Sequence, residues 1–196
     1  MRNLIIIGAA ASTLALSACQ KEPADDADQV ATVPAGSAAA AGAGPQAIAM
    51  LKTADGRSVG EVKVIQDGNG LNLMLDVNGL PQGNHGIHIH SVGKCDAPDF
   101  ESAGGHWNPT DKHHGVANDA GPHLGDFVNL EVVSDGTGHL ERPILGATLE
   151  GGPNALLDAD GAAFIVHAGK DDQMSDPSGN SGARLACGVF TKAGSL

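Results

Sequence analysis

The chain has 196 residues and carries 23 acidic against 11 basic side chains, a formal net charge of −12 at pH 7. That balance excludes a nucleic-acid binder, whose grip on phosphates needs a basic face. Aromatic residues make up only 3% while glycine numbers 28, a composition of short strands joined by tight turns rather than of a helical bundle.

In chain order, Arg2 supplies a positive start, residues 4–16 an apolar run, and Leu16-Ser17-Ala18 a small-residue exit. This predicts a secretory signal peptide over residues 1–18, too short to span a membrane as a helix. Leu-Ser-Ala-Cys resembles a bacterial lipobox, at which cleavage leaves Cys19 as the lipidated first residue. Acyl chains there would hold the protein on a membrane, each buried methylene contributing about 0.8 kcal/mol. The plainer alternative is an ordinary leader in which Cys19 is incidental. Gln20 after the cysteine points, by analogy with other lipoproteins, to the outer membrane, with the protein in the periplasm. Residues 19–45 then form an Ala/Gly/Pro-rich tether whose large apolar side chains are Val30 and Val33 alone, too few to offset the entropy of ordering it.

The remaining stretch, residues 46–196, suffices for one domain with one core. Residues 59–65 alternate into Asp67-Gly68-Asn69-Gly70, and residues 71–77 alternate beyond it, which reads as a hairpin. Further strands are predicted over 85–90, 127–133, 162–167 and 185–190. No segment after Cys19 has sustained helical periodicity, so the fold is all-β. The densest chemistry lies in Gly86-Ile87-His88-Ile89-His90. On a strand, positions two apart face the same side, so His88 and His90 can converge on one metal ion. His106, His114, His123, Asp126 and His167 follow, whereas His85, His113 and His139 read as structural or surface histidines.

Six motifs are then set in a recognisable order: Gly86-Ile-His-Ile-His90, Gly105-His-Trp-Asn-Pro109, His113-His-Gly115, Gly121-Pro-His-Leu-Gly-Asp126, Ile165-Val-His167 and Gly182-Ala-Arg-Leu-Ala-Cys-Gly188. Together they resemble the copper-zinc superoxide dismutases, and Asp176-Pro-Ser-Gly-Asn-Ser-Gly-Ala-Arg184 is similar to their secreted bacterial branch. Trp107 stands where that family usually has Phe. The resemblance implies an eight-stranded Greek-key β-barrel, or sandwich, with two long functional loops over about 91–125 and 168–183. It implies copper on His88, His90, His106 and His167, and zinc on His106, His114, His123 and Asp126, one ion of each per chain, with His106 bridging them. Three imidazoles and a carboxylate suit a closed tetrahedral zinc site, and four imidazoles suit a copper ion that cycles between two oxidation states.

The implied reaction is disproportionation of superoxide to dioxygen and hydrogen peroxide, an antioxidant defence, with His106 as ligand and proton donor and Arg184 binding the substrate anion. Asp171 matches the carboxylate that orients one copper and one zinc histidine, here His88 and His114, with Asp172 its neighbour in the alternative alignment. If Cys19 is acylated, Cys95 and Cys187 remain as a pair in an oxidising compartment, where a disulfide is expected. It would close about 90 residues and contribute about 4 kcal/mol; the alternative is two thiols that bind metal. Because the chain is acidic, attraction of superoxide must be local, with Lys94, Lys112 and Lys170 as candidates beside Arg184. A metal buffer on the same barrel needs neither Arg184 nor a bridging His106, and a copper-only relative would lack His114, His123 and Asp126. The resemblance admits a monomer or a homodimer.

Overall fold

Period-two burial builds one side of the fold. β1 (Gln46–Thr53) turns Ala47, Ala49 and Leu51 inward, β2 (Ser58–Asp67) turns in Val59, Val62 and Val64, and β3 (Gly70–Val77) turns in Leu71, Leu73, Leu75 and Val77. Each such side chain contributes about 1.5–3 kcal/mol on leaving water. β2 and β3 form the hairpin predicted from Asp67-Gly-Asn-Gly70, pairing without a break from Asp67↔Gly70 to Gly60↔Val77. The computed structural model describes residues 44–194; the leader, Cys19 and the tether up to residue 43 lie outside the described residues.

The other strands are β4 (Gly83–His85), β5 (Ile87–His90), β6 (Leu130–Val132), β7 (Gly138–Leu145), β8 (Ala163–His167), β9 (Arg184–Val189) and β10 (Thr191–Lys192). One curled sheet runs β5-β8-β9-β1-β2-β3-β7, with β10 also on β1, and β4 pairs with β6 in a separate ladder. All these pairings are antiparallel. β4 runs into β5 through Gly86, and β6 turns into β7 through residues 133–137, where Gly136 N–H donates to Val133 O at 2.9 Å. The ladder thereby closes the curl. Counting β4/β5 as one bent strand and β10 as the continuation of β9, the barrel has eight strands. β3 pairs with β7 rather than with β4, the crossover of a Greek key.

Most of the core is one large cluster drawn from both sides of the barrel, with Phe164 between Phe127 and Phe190 at ring distances of 6.2 and 6.5 Å, and a smaller cluster of Phe100, Ala103, Ala163, Ile165 and Cys187 lies beside Cys95. Trp107 belongs to the large cluster and is buried. Two of the long connections are those predicted: residues 91–129, which include a 3-10 turn at Glu101–Ala103, and residues 168–183. A third, residues 146–162, joins β7 to β8 and had no sequence signal. Strand pairing covers only Leu130–Val132 of the 127–133 stretch, and just before it the Asn129 side chain is committed to the backbone of Asp171. Cys95 and Cys187 form a disulfide, closing a separation of 92 residues and fixing the first long connection to β9.

Candidate metal centre

All four residues of β5 are buried, and the alternation sends Ile87 and Ile89 into the core while His88 and His90 point the other way. The long connection then folds back along the same strand. Trp107 N–H donates to Ile89 O at 2.8 Å, Ile89 N–H to Gly125 O at 2.9 Å, and Gly125 N–H to Trp107 O at 2.9 Å. This brings His106 beside His90 and Asp126 beside His88 as isolated bridges. Gly125 is required by the close approach, since a Cβ there would overlap the Ile89 carbonyl oxygen. β8 lies on the other edge of β5, and its last residue, His167, donates its N–H to Gly86 O at 2.8 Å.

The result is a group of four imidazoles, from His88, His90, His106 and His167, with one nitrogen of each within 4.8 Å of the others. In every ring the other nitrogen is already held. His88 Nε2 lies 2.6 Å from Asp171 Oδ2, His90 Nδ1 2.9 Å from Gly104 O, His106 Nδ1 2.8 Å from Asp126 Oδ1, and His167 Nδ1 3.1 Å from Gly182 O. The converging atoms, His88 Nδ1, His90 Nε2, His106 Nε2 and His167 Nε2, are buried and have no hydrogen-bond partner. A buried polar atom left unpaired costs about 1–3 kcal/mol, so four together describe a site shaped for something that binds lone pairs. For His88, His90 and His167, acceptors on the outer nitrogens hold the hydrogen there and leave the inner lone pair free, the arrangement a ligating imidazole needs.

A second group adjoins it around Asp126. His106 Nδ1, His123 Nδ1 and His114 Nδ1 lie 2.8, 3.1 and 3.2 Å from its carboxylate oxygens. His114 Nδ1 has no hydrogen-bond geometry there and is another buried orphan. By distance alone the group reads His88, His106, His114 and Asp126. His88, however, has Nε2 on Asp171 and Nδ1 among the four imidazoles, whereas His123 turns Nδ1 to Asp126 Oδ1 at 3.1 Å. His106 presents one nitrogen to each group.

Asp171, fully buried, joins the two: Oδ2 meets His88 Nε2, and Oδ1 lies 3.1 Å from His114 Nε2. Asp172 is exposed and instead accepts from the N–H groups of Met174 and Ser175. Gly179 packs so closely that a Cβ would overlap Asp171 Oδ1.

Burial sets the charge states. Desolvation pushes His88 down to about 3 and His167 to about 4, and lowers His90 and His106 as well, with neighbouring imidazoles adding to the effect. These four rings are therefore neutral at pH 7. Burial acts on His114 in the same sense, but the carboxylates of Asp126 and Asp171 outweigh it and raise this histidine to about 9. Burial would raise both aspartates, yet the facing histidines hold them well below the usual carboxylate range.

Arg184 opens β9, and its guanidinium is pinned by two carbonyls of the first long connection, Phe100 O at 2.6 Å and Gly104 O at 2.8 Å. Gly104 O is the same acceptor that holds His90 Nδ1. The positive charge of Arg184 is felt at both His90 and His167. The disulfide three residues along β9 fixes the segment that supplies these carbonyls. Lys94, Lys112 and Lys170 are all exposed.

Several residues that shape the centre carry no sequence signal. Asn129 clamps Asp171, accepting its N–H at 2.7 Å and donating to its carbonyl at 2.9 Å. His85, read as structural, is buried with Nδ1 2.7 Å from His167 O and Nε2 2.8 Å from Pro81 O, so it backs the main chain of His167. His113 is exposed and pairs with Asp176, and His139 is exposed and pairs with Asp76.

Imidazoles in these numbers, with one carboxylate, form a donor set that fits copper in the first group and zinc in the second. Residues 58–190 match the family model described as copper/zinc superoxide dismutase (SODC). The chain is 43% identical over 138 residues to superoxide dismutase [Cu-Zn] 1 of Aquifex aeolicus, covering 68% of this chain and 80% of that protein. It is 40% identical over 147 residues to superoxide dismutase [Cu-Zn] of Caulobacter vibrioides, covering 74% and 84%. The crystal structure of a SOD-like protein from Bacillus subtilis superposes with a TM-score of 0.70 at 41% identity, covering 74% of this chain and 97% of that one. On fold, motif order and these matches together, the chain belongs to the copper/zinc superoxide dismutase family.

Proposed function

We propose that this protein disproportionates superoxide, with two superoxide anions and two protons giving one dioxygen and one hydrogen peroxide. Copper would be held by His88, His90, His106 and His167, and zinc by His106, His114, His123 and Asp126. When bound, copper supplies the one-electron exchange between its two oxidation states, while zinc has no redox chemistry and fixes the geometry around His106. The observation that carries the reading is the convergence of four buried, partnerless imidazole nitrogens beside a carboxylate that faces three histidines.

The chain's own groups account for the rest of the chemistry. Arg184, with its fork anchored on Phe100 O and Gly104 O, presents a permanent positive charge to a small anion next to His90 and His167. His106 Nε2 is the atom at which a proton is taken up and passed to the departing peroxide, while Nδ1 stays toward Asp126. Asp171 and Gly104 O fix ring orientation from behind. The protein is exported, acylated at Cys19, and held by the 19–45 tether on the periplasmic side of the outer membrane, as a monomer or a homodimer.

Dismutation by the purified mature protein, titrated with copper at saturating zinc, tests the reading. Activity should rise linearly to one copper per chain, vanish in His106→Ala and fall sharply in Arg184→Ala. Stoichiometric copper binding without turnover would make the protein a metal-holding relative, and the role given to Arg184 would fall. The mass of the mature N-terminal peptide tests the anchor: an unmodified residue other than Cys19 at the N-terminus would remove it.

A further inference from the structure

We propose that Asp176 is a positioning residue for the zinc half of the centre, acting on His114 from the side away from the metal. The inference rests on the assignment of His114 to that half. Asp176 Oδ1 accepts the main-chain N–H of His114 at 2.7 Å, and Oδ2 lies 2.6 Å from His113 Nδ1. One carboxylate of the 168–183 connection thus grips two consecutive residues of the 91–129 connection.

The segment that carries Asp176 is built around Asp172. Its Oδ1 accepts from Met174 N–H at 2.9 Å and Ser175 N–H at 2.8 Å, and its Oδ2 accepts from Asn180 Nδ2 at 2.9 Å. Backbone bonds from Asp172 N–H to Gly179 O and from Gly179 N–H to Ser175 O, at 2.8 and 2.7 Å, close the turn. This turn sends Asp171 to His114 Nε2 and Asp176 to His114 N–H. An imidazole whose main chain and distal nitrogen are both fixed has little freedom to swing, and the direction of its remaining nitrogen, Nδ1, is set. That nitrogen faces Asp126 and has no hydrogen bond of its own. Asp171 alone would fix only the tip of the ring; Asp176 fixes its root.

Exposure separates this role from a general structural one. The side chains of His113 and Asp176 are 63% and 49% exposed, and an ion pair in that setting contributes little to global stability. The two connections keep other ties when Asp176 is replaced, among them Ala117 N–H to Gln173 O at 3.1 Å and Asn118 Nδ2 to Met174 O at 3.2 Å. The variants should therefore fold.

The test is chelator-driven zinc release from the fully loaded protein, with the urea midpoint of each metal-free variant measured alongside. Asp176→Ala should release zinc about tenfold faster, the lower end for loss of a group that orients a ligand, with its metal-free midpoint lowered only slightly, by the loss of one part-buried hydrogen bond. Asp176→Asn keeps an oxygen for the His114 N–H and should release zinc at a rate nearer the wild type. His113→Ala leaves that bond intact and should do the same. Cobalt(II) in place of zinc supplies a second readout, since a ligand that swings alters its visible absorption, and Asp176→Ala should show the altered band. Wild-type release rates in Asp176→Ala, or acceleration only in proportion to lost metal-free stability, would overturn the positioning role while leaving the zinc assignment intact. A wild-type protein that takes up copper but no zinc would overturn the assignment of His114 and this proposal with it.

Discussion

The two sides of the barrel follow opposite rules. On the side of β1, β2, β3 and β7, the β2–β3 and β3–β7 ladders run without interruption, the latter from Gly70↔Leu145 to Val77↔Gly138, the β1–β2 ladder shifts register once at Leu51/Lys52, and the inward side chains are aliphatic. On the side of β4, β5, β6 and β8, strands are three to five residues long, and the register shifts at Val166/His167. Every buried polar side chain among the described residues lies on that second side or in the connections folded over it: His85, His88, His90, His114, His123, Asp126, His167, Asp171 and Ser181. Unpaired imidazole nitrogens and buried carboxylates oppose folding. The comparison teaches that the plain side supplies the stability that lets the other side hold a destabilising but chemically useful array.

The largest effect that would break this division comes from the plain side. Leu73 is fully buried in β3, and Leu73→Ala should lower unfolding stability by about 2–5 kcal/mol, read as a shift in the urea midpoint, while metal stoichiometry and activity per bound copper stay unchanged. Asp171→Ala should do the reverse. Zinc affinity should fall about ten- to a hundredfold, equivalent to about 1.4–2.7 kcal/mol, measured by competition with a chelator. If Leu73→Ala empties the centre, or Asp171→Ala leaves zinc affinity as it was, the two sides are not divided in this way.

The plain side was also the harder one to read in part. β1 hides because its inward residues include Ala47 and Ala49, which blend into the Ala-rich tether before them. β7 hides because only Leu140 and Ile144 are buried along it and Pro143 interrupts the pattern. On the other side, Ile87 and Ile89 alternate with His88 and His90, so strand and candidate ligands share one pattern, and the same residues carry the family motif. What stayed illegible there are the groups with no side-chain signature, the carbonyls of Gly104, Gly182 and Phe100. Asn129 is illegible for another reason: its partner is a backbone 42 residues away.

Acid should separate the two sides further. His88 at about 3 and His167 at about 4 lie below the ordinary histidine value of 6.5. In the unfolded chain these residues take up protons that the folded, metal-free centre refuses. Their contribution to stability is therefore full above about pH 6.5 and is lost as pH falls toward 4 and 3. His114, raised to about 9, works the other way, with a contribution present below 6.5 and lost as pH rises through 9. The metal-free protein should be most stable near pH 6.5 and less so on either side, more steeply on the acid side where more groups act together. A urea midpoint that rises from pH 6.5 to 4 would contradict the burial argument for the imidazole cluster.

The smallest effect concerns the long-range field. The chain carries a net charge of −12, so attraction of an anion must be local, near Arg184 and any neighbouring cation. Lys170 is exposed in the connection that also carries Asp171. Replacing it with Glu changes the charge there by two without touching a histidine. Exposed charges act over a Debye length of about 10 Å at 0.1 M salt and about 30 Å at 0.01 M. Lys170→Glu should therefore lower the second-order rate with superoxide mainly at low ionic strength, and the difference from the wild type should shrink as salt is added. An equal loss at all salt concentrations would mean that Lys170 holds the site together rather than steering the substrate, and an unchanged rate at low salt would leave Arg184 and the metal as the sources of attraction.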